Sequence, residues 1–70
     1  MNSNHALLKA TKTAGGQSAL ARKIGRKQQD VWRWLNRLKR VPAENVLAIE
    51  AATGVSRHEL RPDLYPEDAA

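Results

Sequence analysis

Apolar residues along this chain recur three and four positions apart in short runs broken by glycine and proline, and no stretch shows the period of two expected of a half-buried strand. Five helices are predicted. The first places Leu7, Ala10 and Ala14 on one stripe, widened by Leu8; it takes its cap from Ser3 or Asn4 and ends at the tandem Gly15-Gly16. The second runs from about Gln17 to Ile24, with Leu20, Ala21 and Ile24 inward and Gly25 following where a left-handed backbone is needed. The third spans Lys27 to Leu38, because Val31, Trp34, Leu35 and Leu38 obey the i, i+3, i+4, i+7 rule and therefore share a face. Pro42 is suited to open a fourth helix, which turns Val46, Ile49 and, at the margin, Leu47 inward and stops at Gly54. Ser56 with Glu59 three residues on forms a capping box for one last turn reaching Leu60, and Pro62 prevents much continuation. The expectation is an all-α, compact five-helix domain over residues 1–60, followed by an irregular acidic tail, 61–70.

Composition narrows what such a bundle can do. Seventy residues, 41% of them hydrophobic, with no Phe and three aromatics (Trp32, Trp34 and Tyr65), leave no room for a large enzyme core. Absence of cysteine excludes disulfide staples and thiolate chemistry and fits a reducing cytoplasm, the expected location. Near the start the longest apolar run is Ala6-Leu7-Leu8, too short for a signal-peptide core or a membrane span, so neither export nor membrane insertion is expected. The net charge of +5 is modest, but its distribution is not. Residues 22–40 hold Arg22, Lys23, Arg26, Lys27, Arg33, Arg37, Lys39 and Arg40 against Asp30 alone, a local +7, while residues 41–70 sum to −4. The middle of the chain is built to meet an anion.

Within that block, residues 17–36 have what a helix-turn-helix needs: small Ala21 where two helices cross closely, Gly25 at the turn, and Leu20, Ile24, Val31 and Trp34 to close the core beneath. Short glycine-joined helix pairs also occur as plain structure, so the outer face must decide. With Val31, Trp34 and Leu35 inward, Gln28, Gln29, Trp32 and Arg33 point outward, and glutamine and arginine carry the donor and acceptor geometry that reads base edges. Lys27 and Gln28 occupy the first turn, which enters the major groove deepest in this docking mode. The base-reading set is thus Lys27, Gln28, Gln29, Trp32 and Arg33. Gln17 at the start of the second helix, Arg26 in the turn, and Asn36, Arg37, Lys39 and Arg40 after the third helix are assigned to phosphates.

At Gln17, Ala21, Gly25, Gln28-Gln29 and Val31 the sequence resembles the reading unit of the lambdoid-phage Cro and repressor family, and Val46 to Leu60 resembles its supporting helices. The ending TGVSRHELRPDLYPED is similar to short Cro-like prophage regulators, some of them antitoxin-like. This resemblance implies a five-helix, Cro/repressor-like helix-turn-helix domain that binds a partly palindromic operator on double-stranded DNA, usually as a homodimer, and represses transcription. The alternative is an interaction module that binds a toxin protein, with or without autoregulatory DNA binding.

Some residues carry more than one reading. Trp32 either contacts a thymine methyl, packs on sugar or turns toward a partner; Asp30 either complements the helix dipole or accepts from cytosine. Leu64 and Tyr65 either fold back on the chain or cross to a second copy. Arg22 and Lys23 read as a solvated face. His5 and His58 stand at opposite ends with no ligand set, so no metal, cofactor or catalytic site is expected, and no Ser-His-Asp set or carboxylate pair can be assembled.

Overall fold

The computed structural model describes residues 3–66. Five α-helices are present in this span: α1 Ser3–Ala14, α2 Gln17–Ile24, α3 Gln28–Arg33, α4 Val46–Thr53 and α5 Arg57–Leu60. A π-helical turn, Trp34–Leu38, continues α3, and a 3-10 turn, Ala43–Asn45, leads into α4. The all-α, five-helix expectation holds.

One core joins them. Leu7, Leu20, Val31, Val41, Val46, Ile49 and Leu60 are fully enclosed, each contributing about 1.5–3 kcal/mol of burial against the entropy of ordering the chain. Helix α1 lies across α2, α4 and α5, and α2 packs in turn on α3 and α4. The pair α2–α3 is therefore seated on a platform of α1 and α4.

Three apolar side chains expected inside are outside. Leu8 is 43% exposed, because the inner face of α1 is widened by Ala6 and Thr11 on the other flank of Leu7; the Thr11 hydroxyl is satisfied by donating to the Leu7 carbonyl at 2.8 Å. Leu38 is 49% exposed, since the i→i+5 bonding of the π turn sets it back by roughly a quarter turn from the stripe that Val31 and Trp34 begin. Leu47 is 48% exposed on the outer side of α4.

Helix ends also differ in detail. Helix α1 already contains Ser3 and Asn4, so whatever caps it lies outside the described residues. Pro42 is not a helical residue; with φ −58° and ψ 144° it precedes the 3-10 turn that delivers Val46 to α4. The Ser56 hydroxyl accepts from the His58 N–H at 3.0 Å rather than from Glu59, one residue earlier than a capping box would have it.

Residues following α5 are tied back. Arg61 donates from Nη1 to the Val41 carbonyl at 2.8 Å and grips Asp63 with Nε and Nη2 at 2.9 and 2.7 Å. Tyr65 packs against the core, whereas Leu64 is 45% exposed. The rest of the acidic tail, 67–70, lies outside the described residues.

Candidate nucleic-acid interface

Helix α2 stops because Gly25 takes φ 72°, ψ 32°, a left-handed conformation that puts its own N–H on the Arg22 carbonyl and the Arg26 N–H on the Ala21 carbonyl. This paired closure redirects the chain within three residues. Lys27, extended at φ −89° and ψ 151°, then starts α3. Asp30 closes that start, its Oδ2 accepting from the Lys27 N–H at 3.4 Å. This bond is in keeping with the helix-start role expected of Asp30.

Burying Val31 and Trp34 fixes the rotation of α3, and its opposite side faces solvent: Lys27, Gln28, Gln29, Trp32 and Arg33 are all exposed. Gln28, Gln29 and Trp32 border a shallow depression of about 250 Å³. A wider one of about 490 Å³ lies alongside, between Gln29, Trp32, Arg33, Arg37 and Leu38. Trp32 is the ridge between them, 47% exposed, with amides on one flank and guanidinium groups on the other. Four of the five base-reading candidates are thus brought onto one surface, and Arg37 joins them from the phosphate set.

The remaining phosphate candidates do not border these two depressions. Gln17 is half-buried at the first position of α2. Asn36 is exposed, and its Nδ2 donates to the Trp32 carbonyl at 2.9 Å, so part of its amide already serves the π turn. Arg26 is likewise shared: its Nε donates to Oδ1 of the buried Asn45 at 3.1 Å, pinning the turn to the start of α4. Lys39 and Arg40 are exposed immediately after the π turn.

Leu38 is the residue of this surface that sequence reasoning missed, because nothing in a regular 3.6-residue period signals a π turn. Outside the surface, two ion pairs form latches. Glu50 accepts from the Arg57 N–H and Nε at 2.9 and 3.0 Å, and Arg57 lies 5.8 Å from the centre of the Tyr65 ring. Those hydrogen bonds from Arg57, the backbone one foremost, hold the Glu50 carboxyl below its ordinary value. Arg61 does the same for Asp63, lowering it to about 2.

A glycine-joined helix pair with an outward polar and aromatic face, seated on two helices that a fifth braces, is a Cro-type helix-turn-helix domain. The architecture matches "Structure of the Cro protein from putative prophage element Xfaso 1 in Xylella fastidiosa strain Ann-1" with a TM-score of 0.80, at 38% identity, over 96% of this chain and 100% of that one. The chain belongs to the family described as "Bacterial toxin YdaS", whose profile matches residues 7–69. It is also 41% identical over 63 residues to the Escherichia coli K12 protein described as "Putative transcriptional regulator YdaS". That match takes in 87% of this chain and 64% of the relative, so the chain spans less than two thirds of the relative's length. The resemblance to Cro-like prophage regulators is borne out at the level of family and fold. Among the described residues no helix is long and apolar enough to cross a membrane.

Proposed function

We propose that the chain is a sequence-specific double-stranded-DNA-binding transcriptional regulator, a Cro-like repressor of prophage type that places α3 in the major groove of a partly palindromic operator as a symmetric homodimer. The observation that carries this reading is the surface of Gln28, Gln29, Trp32 and Arg33, exposed on one side of a short helix whose other side is locked into the core. Gln28 and Gln29 offer the paired donor and acceptor that matches adenine N6 and N7, Arg33 matches guanine O6 and N7, and Trp32 supplies an apolar plane for a neighbouring thymine methyl or sugar. Lys27 stands where the helix enters the groove. Gln17, Arg26, Asn36, Arg37, Lys39 and Arg40 would meet the strands on either side, supplying affinity that is independent of sequence and falls with salt. The regulator description of the E. coli relative and the Cro description of the structural neighbour support this reading, and a bacterial cytoplasm is where it would act.

Selection from random duplex DNA tests it. Expected is a recovered palindrome whose half-sites lie about one helical turn (~34 Å) apart. Failure to enrich any sequence would sink the proposal and leave a protein-binding module of toxin–antitoxin type, the second reading, which the toxin description of the family favours.

A further inference from the structure

Asp30 is the one acid among residues 22–40, and it stands on the helix proposed to enter DNA. A carboxylate there repels phosphate and lowers affinity for any sequence. Capping explains one of its oxygens. The other, Oδ1, accepts from Arg33 Nη2 at 2.9 Å, with the Asp30 side chain 25% exposed and that of Arg33 57%. Ion pairs this close to water add little stability, so the consequence to consider is geometric.

A guanidinium carries five N–H donors arranged in two edges that share Nη2: a side edge with Nε and an end edge with Nη1. Asp30 engages one Nη2 hydrogen. Whichever it is, the other edge keeps both of its donors, and two parallel donors are what guanine O6 and N7 require. Arg33 unpaired is a long side chain with many rotamers, able to swing onto phosphates as easily as onto a base. Held at Nη2, it presents one edge at one height on α3.

We propose that Asp30 is a positioning residue for Arg33, holding the guanidinium so that its free edge selects guanine at one position of each half-site, at the expense of general affinity for DNA. This rests on the DNA-binding reading above. Asp30 touches no base in this arrangement; it acts through Arg33.

The test is a set of duplexes carrying the selected operator with every base substituted in turn, titrated with the unmodified chain, R33A, D30A, D30E and the double variant R33A/D30A, with circular dichroism to verify folding. R33A should erase a guanine preference at a single position. D30A should weaken the preference at that same position by roughly tenfold, while binding to unrelated duplex holds or tightens. D30E, with an arm able to re-form the pair, should restore most of it, and the double variant should lose no more preference than R33A. A D30A profile that keeps the preference, or loses it evenly at all positions as partial unfolding would, overturns the inference and leaves operator binding standing. So does an R33A profile with no single altered position. If the unmodified chain enriches no duplex, the DNA reading fails first and this inference with it.

Discussion

Lys39 holds its backbone at φ 61°, the one described residue other than glycine with a positive φ. Its N–H and that of Arg40 both return to the Trp34 carbonyl, so the π turn closes only if the chain bends left-handed here. For a residue with a Cβ this conformation costs about 1–2 kcal/mol. Lys39→Gly should therefore stabilise the fold by about 0.5–1 kcal/mol in a denaturant melt, less than the full strain because glycine also gains freedom in the unfolded chain. If Lys39 meets a phosphate as proposed, the same variant lowers the salt dependence of DNA binding, reducing the slope of log K against log salt by roughly 1. Stability and binding then move in opposite directions, and a variant that gains neither stability nor a shallower slope contradicts both assignments. Only glycine announces a positive φ in a sequence, so Gly25 was legible and Lys39 was not.

Between elements, the contact that sets α5 against α4 is the carboxylate of Glu50, which accepts both the Arg57 N–H and its guanidinium Nε. These bonds hold the carboxyl below its ordinary value of 4.5. A carboxyl whose pKa is depressed by folding contributes stability that is fully present above its unfolded value and is lost as pH falls through the folded one. Glu50→Gln should thus melt at a lower temperature than the unmodified chain at pH 7, and the gap should close as pH falls below about 4. Melts from pH 7 to pH 3 check this; a gap that stays constant with pH would mean that Glu50 acts through packing alone. The individual helices were readable because their inner stripes and glycine stops are local. The Glu50–Arg57 latch was not, since seven residues and a helix break separate the partners and no helical spacing rule spans a break.

Across the molecule, residues 61–65 act as a strap. Arg61 reaches back twenty residues to the Val41 carbonyl, Asp63 neutralises it, Tyr65 packs on the core, and the Tyr65 carbonyl accepts from His58 Nδ1 at 2.7 Å. A chain ending at Pro62 keeps the Arg61 to Val41 bond but loses the carboxylate and the tyrosine, and should lose about 1–3 kcal/mol of stability in urea. An unchanged midpoint would show that the strap is idle. From its order of residues alone, this chain specified helices rather than strands, the glycine turn at Gly25, the inward side of α3 and hence the outward Gln28, Gln29, Trp32 and Arg33, and a positive block beside them. All of these depend on residues within a few positions of one another, where helical geometry leaves little choice. Packing in three dimensions decided the rest: that Leu8, Leu38 and Leu47 stay in water, that Arg26 is partly occupied by Asn45, that Asp30 holds Arg33, and that the last described residues are drawn onto the bundle. Each is settled by competition for a limited interior, or for a partner that local spacing does not single out.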